Sequence, residues 1–196
     1  MTTKSRTYAI IALVILGFAA VDITLIATNR SAEGAEASSV EARLQRLEDR
    51  EAIRDLIIEY GHMVDTRNWA GFANLFAQNG EWVGGMGAAK GRPAIQKMME
   101  DSIGSNTTGK SPAGIGGPNF HIFANERITV DGNTATAVTK WMFLVPSKEN
   151  HPQPYYLGHY DDRFVREDGS WKFLSRTAYG DIPPAPPKTA PYQPSK

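Results

Sequence analysis

The chain contains no cysteine, which excludes disulfides, a thiol nucleophile and cysteine-ligated zinc. It also lacks net charge: 21 basic side chains balance 21 acidic ones. Nucleic-acid binders carry a basic stripe that neutralises phosphates, so no nucleic-acid partner is expected. Histidine is scarce and scattered, at positions 62, 121, 151 and 159. No H-x-x-x-H or H-E-x-x-H spacing occurs, and no metal site is expected. The "GIGG" at 114–117 lacks the lysine and the preceding strand of a phosphate loop. No cofactor is therefore expected, and no internal repeat is present.

What the chain does contain is enough apolar material for one core. It has 196 residues, of which 41% are hydrophobic and 10% aromatic, consistent with one domain. At the N-terminus Lys4 and Arg6 precede the apolar run 8–27, and "AEA" follows at 35–37. A basic start, an apolar centre and a small-x-small site make a secretory signal. The run is also long enough to span a bilayer, although Asp22 interrupts it. Two readings stand, a cleaved signal and a retained N-terminal membrane anchor. Either places the folded part in the periplasm or outside the cytoplasm. The expected organisation is 1–37 as signal or anchor, 38–182 as the domain, and 183–196 as a proline-rich tail.

Within the domain, Ile53, Leu56, Ile57, Tyr60 and Val64 recur at helical spacing and predict an amphipathic helix over 40–64. Residues 68–77 predict a short second helix. Residues 91–101 predict a third, with Pro93 in its first turn. "GEWVGG" reads as a short strand. Residues 102–119 are rich in glycine, serine and threonine, and read either as a lid or as a surface excursion. From Phe120 onward the period changes to β-rich runs. "VDGNT" at 130–134 and "EDGS" at 167–170 supply hairpin turns between them. Helices followed by meandering strands predict an α+β fold, with helices on one face of an antiparallel sheet. The tail "IPPAPPKTAPYQPSK" is expected to stay extended and outside the sheet.

"RLEDREAIRDLIIEYGHMVDTRNWAGFANLFAQNGEW" at the front and "YLGHYDDRFVREDGSWKF" at the back resemble the SnoaL-like branch of the NTF2-like superfamily. The resemblance covers roughly residues 40–182. It implies a cone of three N-terminal helices on a strongly curved antiparallel sheet enclosing one pocket. Members include scytalone dehydratase, bile acid 7α-dehydratase, hexachlorocyclohexane dehydrochlorinase, polyketide cyclases and ketosteroid isomerase. The fold alone does not determine which of these chemistries applies.

In dehydratase-like members an aspartate at the end of the first helix pairs with a histidine on the strand after the third. The matching residues are Asp65 and His121, and a tyrosine five residues before the aspartate matches Tyr60. Asp65 lies at a helix C-terminus, where the macrodipole disfavours an anion, so it needs a reason to be there. Two are available: it caps the following helix, or it holds His121. A carboxylate on one ring nitrogen orients an imidazole, whose ordinary pKa is about 6.5, as a base. Tyr60 would then donate a hydrogen bond to a leaving group or enolate.

The resemblance also places Gly158 and Tyr160 on the pocket wall, with Asp162 and Phe164 continuing that face and His159 pointing away. Asn125 shares the face of His121 if alternation holds along the strand. Trp82, like Trp69, Trp141 and Trp171, reads as core, and it is also counted with the pocket wall. A second pocket histidine, as in scytalone dehydratase, is missing near Ser147, and His151 reads as a turn residue. His62 faces away from Tyr60 and is expected to be exposed.

The implied function is a cofactor-independent lyase of the dehydratase or dehydrochlorinase type. It would act on a small apolar or cyclic substrate, and the chain would assemble as a homodimer or homotrimer. The alternatives are an isomerase or cyclase using the same base, and a non-catalytic, exported module that binds a hydrophobic ligand or scaffolds a complex.

Overall fold

The computed structural model describes residues 38–104 and 120–193. The apolar segment 8–27, the "AEA" site and residues 105–119 of the candidate lid lie outside the described residues. The chain divides into two units between Leu47 and Glu48. In the first, residues 38–47 are helical, and Val40, Leu44 and Leu47 are exposed. The sheet and the cavity belong to the second.

In the second unit, helix α1 occupies residues 48–66. Its apolar stripe buries Ile53, Ile57 and Tyr60, as helical periodicity requires. Each such side chain contributes about 1.5–3 kcal/mol on leaving water. Helix α2 spans Trp69–Asn74, and Asn68 caps it by accepting from the Gly71 amide at 3.0 Å. Strand β1 spans Phe76–Gly84, β2 Gly87–Lys90 and helix α3 Arg92–Ile103. Four long strands follow: β3 (Phe120–Asp131), β4 (Thr134–Pro146), β5 (Pro152–Glu167) and β6 (Ser170–Ile182).

The six strands form one sheet in the order β2-β1-β6-β5-β4-β3. The expectation of an antiparallel sheet holds for each hairpin but needs one correction. Strand β1 pairs with β6 in parallel, through Trp82↔Arg176 and Val83↔Thr177, so the sheet is mixed. Turn chemistry reveals only local pairings, and this one joins strands far apart in sequence. At the β5–β6 turn, Asp168 and Gly169 both have positive φ, 51° and 77°. The right-handed twist of a tight hairpin needs that conformation.

Two local expectations also shift. The second helix stops at Asn74, short of the predicted 77, and Phe76 and Ala77 enter β1. Phe72 and Phe76 are both fully buried, and their spacing suits a helix and a helix-to-strand junction equally well. The tail does not stay clear of the sheet: it makes isolated bridges at Gly84↔Lys188, Ala88↔Pro191 and Gly180↔Ala185.

The inward face of β5 alternates as expected, with Gly158, Tyr160, Asp162 and Phe164 buried. At Gly158 a side chain would collide with the Tyr179 carbonyl and the Trp141 indole, so glycine is what lets that ring lie across the strand. Phe164 is core, packed on Phe173 at 4.9 Å between ring centroids.

Inside this core lies an ion pair. Arg176 donates from Nε and Nη2 to the two Asp162 oxygens, each at 2.7 Å, and neither side chain is exposed. Its guanidinium packs on Tyr60, Tyr160 and Phe173 at 4.0, 4.2 and 4.2 Å. Burial pushes the Asp162 carboxyl up from its ordinary value against the pull of Arg176. Burial also works against the Arg176 charge, yet Asp162 holds that guanidinium above its ordinary value. The two directions conflict over whether the carboxylate is charged. The double hydrogen bond favours the ionised pair.

Removing one partner strands the other charge in the core. Asp162→Ala should therefore cost about 3–5 kcal/mol in urea unfolding, whereas the double variant D162L/R176M should recover most of that loss. Equal losses in the single and double variants would contradict a paired charge.

Candidate active site

Helix α1 ends in a way that fixes Asp65. The Arg67 amide donates to the Val64 carbonyl at 3.1 Å and the Asn68 amide to the Met63 carbonyl at 2.9 Å. Arg67 has φ 55°. This is the Schellman closure, with arginine where glycine is usual. Asp65 therefore sits in the last helical turn, on the side of β3.

There it makes two hydrogen bonds to one residue. The His121 backbone amide donates to Asp65 Oδ2 at 3.0 Å, and His121 Nδ1 lies 2.5 Å from Oδ1. A carboxylate only accepts, so Nδ1 is the ring nitrogen that carries a proton toward Asp65. Both side chains are largely shielded, at 14% exposure for His121 and 8% for Asp65. Phe143 packs on the imidazole at 4.7 Å. The alternative of Asp65 as a helix cap is replaced by a different arrangement, since Asn68 caps α2.

His121 and Asp65 open onto a cavity of about 410 Å³, lined mostly by apolar side chains. That volume lies in the range of small-molecule sites. Of the residues expected on the wall, Tyr60, Trp82 and Tyr160 line it. The Trp82 indole donates to the Tyr60 hydroxyl at 3.0 Å. The Tyr60 hydroxyl also hydrogen-bonds with that of Tyr160. Burial raises the phenols of both Tyr60 and Tyr160, that of Tyr160 well above the ordinary value, while Arg176 opposes the rise in each.

Three expected wall residues are not among those that line the cavity: Asn125, Gly158 and Phe164. For Asn125 the reason is a β-bulge. The β3–β4 register shifts between Ala124 and Arg127, and Asn125 takes φ 58°. Such a bulge adds a residue and breaks period-two alternation, and Asn125 is exposed. Gly158 and Phe164 lie on the expected face but beneath others, Gly158 under Trp141 and Phe164 in the core.

His159 points away as expected, stacked on Tyr179 at 4.6 Å and bonded to Asp181 at 2.9 Å. His62 is exposed. His151 lies in the β4–β5 turn, where its carbonyl accepts from the Ser147 amide at 2.8 Å.

Sequence reading missed other contributors. Arg67 lines the cavity only because the Schellman turn brings it there. Trp141 and Phe143 line it from β4, at positions where alternation alone could not separate wall from core. Ala185 reaches it from the tail, which carries no signal for doing so. The Asp162–Arg176 pair was also invisible as a pair, because its members lie on different strands.

No curated protein matches this chain. Solved structures with the same fold do. An NTF2-like protein with a cystatin-like fold from Novosphingobium aromaticivorans is 25% identical, with a TM-score of 0.59 over 71% of this chain and 86% of that one. A candidate scytalone dehydratase from the same organism is 25% identical, with a TM-score of 0.54 over 69% and 85%. A type 2 hexachlorocyclohexane dehydrochlorinase is 23% identical, with a TM-score of 0.55 over 71% and 89%, a likeness of fold alone. Residues 45–177 match the SnoaL-like domain. The mixed six-stranded sheet, its helices and that match, which spans more than half of the chain, together make it a member of the SnoaL-like family within the NTF2-like superfamily.

Proposed function

We propose that the chain is a cofactor-independent lyase that removes a proton and a leaving group from adjacent carbons of a small, mostly apolar substrate. One observation carries this reading: both Asp65 oxygens are committed to His121 at the wall of a cavity. A packing histidine needs one partner, whereas this one is fixed in tautomer as well as position.

In the proposed reaction, His121 Nε2 takes a proton from a carbon made acidic by a neighbouring carbonyl or leaving group. The C–H electron pair becomes the new C=C bond, and the bond to the leaving group breaks with its electrons. Chloride departs as the anion, whereas a hydroxyl takes the proton from the imidazolium and departs as water. Asp65 stabilises the transient imidazolium. Tyr60 donates to the oxygen on which negative charge develops. The apolar lining excludes water and strengthens both interactions.

The same proposal includes export through segment 8–27, with that segment either removed or kept as a tether. It also includes self-association through the outer face of the sheet, since closed two-fold pairing is the usual solution for such a surface. A lyase of this kind would work in a single enclosed pocket.

A panel of hydroxy-ketones, steroids and chlorinated rings tests the reaction class. His121→Ala should abolish turnover of whichever compound reacts while leaving circular dichroism unchanged. Asp65→Asn should lower kcat by about 10²–10⁴ with a smaller change in KM. Full activity in His121→Ala would remove the base assignment. Tight binding without turnover by the wild-type chain would make the cavity a carrier site.

The tyrosines give a separate, substrate-free test. Their folded pKa values are raised, so the stability they contribute is present below the ordinary tyrosine value of about 10 and is lost as pH rises through the folded values. Ultraviolet titration of the seven tyrosines should show late phenolate steps, which Tyr60→Phe and Tyr160→Phe each diminish. An unchanged titration in both variants would contradict their burial as protonated donors.

A further inference from the structure

The proline-rich tail gives the strongest observations outside the His121 site. After Ile182 the chain turns back on β6, where Gly180 and Ala185 exchange backbone hydrogen bonds at 3.0 and 2.8 Å. It then crosses to the β1–β2 hairpin. The Lys188 amide donates to the Gly84 carbonyl at 3.0 Å, the Ala88 amide to the Ala190 carbonyl at 2.9 Å, and the Tyr192 amide to the Ala88 carbonyl at 2.8 Å. The side chain of Tyr192 packs against the hydrophobic core. Prolines occupy 183, 184, 186, 187, 191 and 194, and the donors come from the residues between them. Proline restricts the free chain, so docking it loses less entropy than docking a flexible segment would.

The tail meets other elements where they border the cavity. Gly180 at the end of β6 and Gly85 and Met86 in the β1–β2 turn line it, and so does Ala185 of the tail itself. The fit is close on both sides. A Cβ at Gly180 would lie 2.8 Å from the Ala185 Cβ. One at Gly87, where φ is 124°, would lie 3.0 Å from the Tyr192 Cα. Backbone hydrogen bonds of this kind contribute about 0.5–1.5 kcal/mol each. A handful of them, with one aromatic anchor, makes a contact that holds but can open.

We infer that the tail is a fitted wall of the cavity. Ala185 is its specificity-determining residue, and the Gly180–Ala185 contact governs how large a ligand the cavity holds and how fast that ligand leaves. The inference applies equally to a cavity that catalyses and one that only binds, so it stands apart from the lyase proposal.

The test uses the full chain and an apolar naphthalene dye such as anilinonaphthalene sulfonate, without any turnover. Gly180→Ala pushes the tail off β6 by adding the colliding Cβ, and Tyr192→Ala removes the anchor. Each should raise the dye's dissociation rate about tenfold or more, the factor expected when about 1.4 kcal/mol of retention is lost. His121→Ala serves as the control, because it alters the cavity away from the tail and should not change protection of the tail amides.

Hydrogen exchange gives a second readout that does not depend on the variants folding. Bound dye should slow exchange at the Ala185, Lys188 and Tyr192 amides of the wild-type chain. Unchanged dissociation in both folded variants would overturn the inference. So would tail amides indifferent to dye, or a dye that binds neither the wild-type chain nor the variants.

Discussion

Asp65 gives one carboxylate oxygen to the backbone of His121 and the other to its ring. The first bond sets where β3 begins relative to the end of α1. The second sets the tautomer of the imidazole at that point. A helix C-terminus is an unfavourable place for an anion, and the two charge-assisted bonds offset that cost. Much of the surrounding structure serves to keep this contact in place. The Schellman turn at Arg67 stops the helix, Asn68 takes over the capping role, and Phe143 holds the ring from the neighbouring strand.

Beneath the cavity a second constraint operates, and it is electrostatic. Arg176 and Asp162 are fully buried, and the guanidinium lies against the faces of Tyr60 and Tyr160. A buried pair of this kind is costly to assemble and more costly to break. It fixes the two tyrosines that line the cavity from below, while Trp82 fixes the hydroxyl of one of them. The cavity therefore combines an apolar wall with a few polar groups whose orientations are set by neighbours rather than by solvent.

Much of this was legible in the sequence. Hairpin chemistry at "VDGNT" and "EDGS" located both tight turns, and alternation along β5 predicted its buried face. The spacing of Ile53, Ile57 and Tyr60 gave the buried stripe of α1. The resemblance to SnoaL-like proteins brought Asp65 and His121 together, although 56 positions separate them. What was not legible has physical causes. The parallel β1–β6 pairing leaves no local trace. The bulge at Asn125 breaks a periodicity that only the partner strand reveals. Proline-rich composition does not predict which edges the tail's remaining amides will find.

The central claim is that His121 is held as a base, with its proton on Nδ1 and its lone pair on Nε2. Histidine-selective ¹⁵N NMR of the full chain measures this directly. The account predicts that His121, assigned apart from the Asp181-bonded His159, has a protonated, strongly hydrogen-bonded Nδ1 and an unprotonated Nε2, and that Asp65→Asn abolishes that signature at His121 alone. A His121 ring protonated on Nε2, or averaging between tautomers as a solvent-exposed histidine does, would contradict it.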